Sequence, residues 1–203
     1  MDPACRLYLL TPETLDPSFP ARLAEALDAG DVAAVRLHLP GADTDILRAA
    51  AESLRPIVQS RGVAFIVGAD APLAAATGSD GVHLTQSDMP AGQARRLIGD
   101  LQLGVFCGAS RDAAMAAGEA GADYIAFGPF GGPDEAAPAA ELITWWSELM
   151  ELPVVAEGTI TAENCLALVR AGADFLAVGA AVWDNPSGPA DAVRALNAAI
   201  AAA

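Results

Sequence analysis

The chain has 203 residues and a formal net charge of −15, from 26 acidic against 11 basic side chains, and every basic residue is arginine. That length suits one domain over residues 1–203 with a full core, and that charge repels phosphate backbones, which argues against a nucleic-acid partner. The absence of lysine excludes Schiff-base chemistry and a phosphate-gripping lysine, so a site must use backbone amides, arginine, histidine or a metal.

Hydrophobic patterning and breakers predict the elements in chain order. A strand over Arg6–Leu10 ends at Thr11-Pro12, and a helix over about 20–29 places Leu23, Ala26 and Leu27 on one face. A second strand, 32–39, stops at Pro40-Gly41, and a helix over about 44–60 contains Pro56. Next come a strand at 63–67, a short helix at about 71–76 and a strand at 81–84. Pro90 suits a helix N1 position, with that helix ending near Ile98, and a strand follows at 102–106. Ser110 suits the N-cap of a helix running to Ala120, before a strand at 124–127 and a Gly/Pro/acid loop at 131–137. A helix carries Leu142, Trp145, Trp146 and Leu149, then a strand lies at 154–156. Thr161 caps the next helix, with Asn164 where a capping box has Glu or Gln. The last strand is Phe175–Val178, and the last helix starts near Pro189.

The phrase Gly172-Ala173-Asp174-Phe175-Leu176-Ala177-Val178-Gly179 has a counterpart in Gly121-Ala122-Asp123-Tyr124-Ile125-Ala126-Phe127-Gly128, and a looser one in Gly78-Ser79-Asp80-Gly81-Val82-His83-Leu84. A reused helix–turn–strand unit signals a repeating architecture. Eight strands alternating with eight helices predict a single (β/α)8 TIM barrel. An open doubly wound sheet is the alternative, but no Gly-x-Gly-x-x-Gly follows the first strand. No apolar run reaches the length of a membrane span, and the first residues lack a basic then apolar leader pattern, so the cytoplasm is the expected location. Cys5, Cys107 and Cys165 show neither a disulfide framework nor a zinc spacing.

In such a barrel the chemistry sits at the C-terminal ends of the strands. Arg36 and His38 lie two apart on one strand and so point the same way, into the barrel. Arg36 is equally readable as a catalytic group or as half of a structural ion pair with Glu157. His83, between Val82 and Leu84, points inward as a core or catalytic histidine. Asp88 is a metal ligand or a helix cap. Gly158-Thr159 and Gly179-Ala180 end the last two strands, where this fold places phosphate against backbone N–H groups.

These residues are similar to a known family. Tyr8-Leu9-Leu10-Thr11, Asp80-Gly81-Val82-His83-Leu84-Thr85-Gln86-Ser87-Asp88, Gly121-Ala122-Asp123-Tyr124 with Gly128-Pro129, Val154-Val155-Ala156-Glu157-Gly158-Thr159-Ile160 and Ala171-Gly172-Ala173-Asp174 resemble, in order, the thiamine phosphate synthase/TenI superfamily. The resemblance implies a (β/α)8 barrel that joins hydroxymethylpyrimidine diphosphate to thiazole phosphate and releases pyrophosphate with Mg²⁺, or, in TenI relatives, aromatises the thiazole. It implies Asp88 as the metal ligand, phosphate at Gly158, Thr159, Gly179 and Ala180, and a substrate pocket that includes Gln86, Cys107 and Gly128.

The chain departs from the family pattern mainly in the site. Arg36-Leu37-His38-Leu39-Pro40 stands where the family has Gln-x-Arg-x-Lys, and Gly68-Ala69 stands for Asn-Asp, with Asp70 one position late. Phe106-Cys107-Gly108 replaces Ser-Thr-His, and Gly131-Gly132-Pro133-Asp134-Glu135 replaces Thr-x-Thr-Lys. The cations that would neutralise a diphosphate are thus depleted, and the expectation is a synthase-like protein with an eroded site. A non-catalytic phosphate-binding relative and a different barrel reaction using Arg36, His38 and Glu157 stay open. Apolar residues around much of the helix at 142–150 further predict one exposed tryptophan and a homodimer.

Overall fold

The structure, a computed structural model, describes residues 5–85, 87–130 and 136–203. Eight parallel strands pair in chain order and close on themselves. They are β1 (Arg6–Leu10), β2 (Val32–Leu37), β3 (Ala64–Gly68), β4 (Gly81–Leu84), β5 (Gln102–Phe106), β6 (Tyr124–Phe130), β7 (Val154–Gly158) and β8 (Phe175–Val178). Between and after them run α1 (Phe19–Ala29), α2 (Thr44–Gln59), α3 (Ala71–Thr77), α4 (Ala91–Ile98), α5 (Arg111–Glu119), α6 (Ala136–Leu149), α7 (Cys165–Arg170), α8 (Ala180–Trp183) and α9 (Pro189–Ala201). The chain is therefore a (β/α)8 barrel. No helix among the described residues is long and apolar enough to cross a membrane.

Alternation along each strand divides two cores. Leu7, Leu9, Val35, Leu37, Val82, Leu84, Ile125 and Phe127 face the helix layer. Tyr8, Ile66, Ala126, Val155 and Ala177 fill the barrel, with Ala34, Phe106, Tyr124 and Phe175 beside them. Above this apolar plug, toward the C-terminal ends, the interior turns polar.

The repeated Gly-x-Asp phrase has a mechanical reason. Asp80, just before β4, accepts from Phe65 N of β3 at 2.7 Å. Asp123, just before β6, accepts from Leu103 N of β5 at 2.7 Å, and Asp174, just before β8, accepts from Val154 N of β7 at 2.7 Å. Each aspartate's own amide donates back to the carbonyl of the same residue. The fourth pair is held differently: Asp31, ahead of β2, takes a fork of bonds from Arg6 on β1. The carboxylate thus sets register at the N-terminal rim, far from the chemistry. Asp174→Ala removes a charged acceptor from the β7 amide and should cost about 1.5–3 kcal/mol, read from the urea midpoint at constant m.

Several expected boundaries shift. Gly179-Ala180-Ala181, read as a plain turn, opens the one-turn helix α8, whose Trp183 Nε1 donates to Leu10 O at 2.5 Å and ties it to β1. Helix α7 starts at Cys165 with Asn164 as its N-cap, not Thr161. Asn164 folds back to accept from Thr161 N at 2.8 Å and closes a turn ahead of the helix. Pro90 is the N-cap of α4 rather than its first helical residue. Helix α2 continues through Pro56 to Gln59. Neither tryptophan of α6 is exposed, contrary to expectation. Trp146 is buried and donates to Leu152 O at 2.7 Å. Trp145 is half-buried, with the Arg111 guanidinium 4.5 Å over its ring. Leu149, at 65% exposure, is the apolar side chain α6 leaves out. Gln86 and residues 131–135 of the expected 131–137 loop lie outside the described residues, and 136–137 open α6.

Candidate functional site

The polar layer of the barrel is built by strand alternation. Arg36, one residue from the end of β2, points inward and is 4% exposed; Glu157, near the end of β7, faces it across the barrel and is 19% exposed. They form a two-pronged ion pair, Arg36 Nη1 to Glu157 Oε2 at 3.0 Å and Nη2 to Oε1 at 2.7 Å. The planar guanidinium fork matches the carboxylate, and Tyr8 lies below it, its ring centroid 5.9 Å from the guanidinium carbon.

His83 on β4 completes the floor at 1% exposure. Its Nδ1 is 3.1 Å from Tyr124 Oη, and Tyr124 Oη is 3.0 Å from Tyr8 Oη. These are the two tyrosines of the chain. Burial pushes Tyr8 up to about 12 and Tyr124 well above its usual range, so both remain protonated. The other imidazole nitrogen, His83 Nε2, has no hydrogen-bond partner among the described residues, and Glu157 Oε2 stands 4.0 Å away.

Over this floor opens a cavity of ≈ 740 Å³. Arg36, His38, His83 and Glu157 line its base, and Asp70, Thr85 and Asp88 line its side. Thr11 fixes the end of β2 by accepting from His38 N at 2.9 Å. Asp88 Oδ2 accepts from Thr85 N at 2.6 Å and Thr85 Oγ1 at 2.8 Å. Asp70 caps α3, its Oδ1 accepting from Leu73 N at 2.8 Å. Among the described residues Asp70 Oδ2 and Asp88 Oδ1 take no hydrogen bond, so each carboxylate can still offer an oxygen to a cation. No three His, Cys, Asp or Glu among the described residues gather closely enough to hold a metal unaided.

The remaining predicted residues divide. Cys107 does not line this cavity: its thiol is buried in the helix layer, with Sγ 3.4 Å from Val105 O, and burial pushes it up to about 12. Gly128 supports the floor from behind, since a Cβ there would lie 2.2 Å from Glu157 O. Gly158, Thr159, Gly179 and Ala180 end β7 and β8 outside the lining of the main cavity. The Thr159 amide already donates to Phe130 O at 2.6 Å. The amides of Gly179, Ala180 and Ala181 donate to no backbone carbonyl in the loops among the described residues. Gly68 cannot become the family's asparagine without a backbone shift, because a Cβ there would lie 2.8 Å from Leu37 O. Ala69 sits at φ +65°, a conformation that asparagine tolerates better than alanine.

Sequence reading missed Tyr8, Tyr124 and Thr11 as parts of the site. The period of two that turned Arg36 inward applies equally to Tyr8 and Tyr124, but the partner each meets across the barrel is a long-range fact.

The two histidines give the site a pH dependence. Burial, then the Arg36 charge, holds His83 well below its usual 6.5 and lowers His38 in the same direction. Both therefore resist protonation in the fold, while the unfolded chain takes up protons near 6.5. Stability should be full above pH of about 6.5 and fall below it, by up to about 1.4 kcal/mol per pH unit for His83. Urea titrations at neutral and mildly acidic pH would show this slope, and His83→Phe should remove most of it.

Comparison with known proteins completes the description. A family model described as thiamine monophosphate synthase matches residues 7–182. A thiamine-phosphate synthase of Rhodospirillum centenum is 54% identical over 199 residues, covering 95% of this chain and 96% of that protein. One of Erythrobacter litoralis is 44% identical over 207 residues, covering 98% and 96%. Among solved structures, thiamine phosphate pyrophosphorylase from Pyrococcus furiosus matches with a TM-score of 0.85 at 26% identity, covering 97% of this chain and 96% of that one.

Proposed function

Since the chain belongs to the thiamine monophosphate synthase family and is a thiamine phosphate synthase-like protein of thiamine biosynthesis, we propose that its barrel mouth joins hydroxymethylpyrimidine diphosphate to thiazole phosphate. The observation that carries the reading is the ≈ 740 Å³ cavity, with one arginine and two histidines at its base and Asp70 and Asp88 at its side. In the reaction the pyrimidine methylene carbon loses its bond to a diphosphate oxygen and gains a bond to the thiazole ring nitrogen. The electron pair of the broken bond leaves with pyrophosphate.

In this reading Arg36 meets the diphosphate from the floor, and His38 Nδ1 or Nε2 can donate to it beside Arg36. The thiazole phosphate lies at the other side of the mouth, against the amides of Gly179, Ala180 and Ala181 and the polar edge of Gly158-Thr159. Asp70 and Asp88, each with an oxygen to spare, would hold Mg²⁺, which one or two carboxylates suffice to bind and which would neutralise charge building on the leaving diphosphate. Asp88→Asn should lower kcat/KM on the order of 100-fold and leave thiazole phosphate affinity unchanged, as measured by turnover with Mg²⁺ and by calorimetry. A homodimer through the outer face of α6, around Leu149, belongs to the same reading and is tested by light scattering.

A second reading, a phosphate-binding relative with little turnover, is favoured by one observation: Glu157 occupies the fork of Arg36. It is supported if thiazole phosphate binds and no thiamine phosphate forms under the same assay.

A further inference from the structure

The two-pronged fork of the Arg36 guanidinium is already engaged. Its Nη1 and Nη2 each give one N–H to Glu157, and its Nε is buried without a partner among the described residues. An anion at the base of the cavity therefore meets a neutralised pair. For Arg36 to offer its bidentate fork to an anionic substrate group, Glu157 must release it. A carboxylate released inside the barrel is costly unless another donor receives it.

That donor is present. His83 Nε2 is buried, without a partner among the described residues, and 4.0 Å from Glu157 Oε2. A gap of that size is too long for a hydrogen bond and about 1 Å more than one needs, a distance that a change in the Glu157 side-chain torsions covers. The rest of the ring is fixed by Tyr124 at Nδ1 and by Tyr8 behind it. The nearby carboxylate selects the tautomer with the proton on Nε2, in which Tyr124 donates to Nδ1 and Tyr8 donates to Tyr124. A histidine held only for packing would have no reason to aim an unused N–H at the second oxygen of an ion pair.

We propose that His83 is a positioning residue that gives the Glu157 carboxylate a second seat, so that the Arg36 fork is handed to the diphosphate of the substrate. The inference rests on the reading that a diphosphate enters this cavity. On arrival the anion takes the two Nη donors, which favour a doubly charged bidentate partner. It also repels the carboxylate, which moves onto His83 Nε2–H. No proton changes place: one ion pair is exchanged for an arginine–anion pair and a carboxylate–imidazole hydrogen bond.

The test is a double-mutant cycle read by calorimetry with inorganic pyrophosphate and Mg²⁺. Glu157→Gln removes the competitor and should tighten pyrophosphate by about tenfold, whereas His83→Phe removes the second seat and should weaken it by about tenfold. In the Glu157→Gln background, His83→Phe should change affinity less than about twofold, because the carboxylate to be reseated is gone. His83→Gln, which keeps an N–H near the Nε2 position, should restore most of the wild-type affinity even if the phenylalanine variant folds poorly. A structural role for His83 would weaken thiazole phosphate as well, whose KM should here stay unchanged. Additive effects in the cycle, no gain in Glu157→Gln, or no pyrophosphate bound by any variant would overturn the proposal. Turnover separates it from the reading beneath it: robust turnover with an additive cycle removes the reseating and keeps the reaction, and an intact cycle without turnover does the reverse.

Discussion

Arg36→Ala should unfold at a lower urea concentration, with a loss of about 3–5 kcal/mol, and should bind no diphosphate. The size follows from what is left behind rather than from the value of the bond. Arg36 is 4% exposed and Glu157 19% exposed, so removing the guanidinium strands a largely dehydrated carboxylate in the barrel. If His83 Nε2 receives that carboxylate, the loss falls at the lower end of the range. Replacing both partners by apolar residues of similar volume, Arg36→Met with Glu157→Leu, removes the stranded charge together with its partner. Such exchanges of buried ion pairs are neutral or stabilising by about 1–4 kcal/mol, so the double variant should recover the midpoint of the wild type and remain unable to bind the diphosphate. The pair would then be seen to serve the site and not the fold. Urea unfolding followed by tryptophan fluorescence reads the first half, with Trp146 buried in the helix layer as the reporter; calorimetry with pyrophosphate reads the second. A single variant as stable as the wild type would show that water reaches Glu157 freely and that the ion pair is a surface one.

Much of this architecture is legible in the residues because short-range chemistry writes it. The alternation of Val35, Leu37 and Leu39 with Arg36 and His38 gives the inward face of β2 before any neighbour is known, and the bidentate partner of Arg36 was one of two readings that the pattern left open. Ser110 caps α5 as its type suggests, accepting from Ala113 N at 3.1 Å. The repeated aspartates announced a repeat but not its purpose, since their acceptor role depends on the amide of the preceding strand. Other features depend on tertiary packing. A helix apolar around much of its girth predicts one surface tryptophan of two, yet Trp146 is buried and Arg111 of α5 lies over the Trp145 ring. Cys107 follows the interior period by only one residue too many: after Phe106 it turns outward into the helix layer. The second residue of the Gly158-Thr159 motif was read as a free amide, and the carbonyl that claims it, Phe130 O, comes from β6 across a register irregularity that no local pattern reports.

The two glycines at the ends of β7 and β8 should separate fold from function. Gly158 has φ +153°, and a Cβ built there would lie 1.8 Å from Phe130 O and 2.3 Å from Phe130 N. Both obstacles are backbone and cannot swing aside. Gly158→Ala must therefore push β6 and β7 apart where they are joined and break the hydrogen bond from Thr159 N to Phe130 O, a loss expected to exceed about 4 kcal/mol. Gly179 is different. Its φ of −129° lies outside the left-handed region, and a Cβ there would lie 3.5 Å from Leu10 Cβ, an ordinary contact. Gly179→Ala should fold normally. Gly179→Asp should do slightly better, because aspartate is a good N-cap and its carboxylate can accept from the first-turn amides of α8, worth up to about 1 kcal/mol. Those are the amides assigned to the substrate phosphate. A carboxylate that occupies them and repels the anion should weaken thiazole phosphate by at least about tenfold, while the melting temperature stays level or rises. Calorimetry and thermal unfolding of the same preparations read both signs. Unchanged phosphate affinity in Gly179→Asp would move the anion site away from this turn. A normally folded Gly158→Ala would show that the close approach of β6 and β7 is not needed to close the barrel.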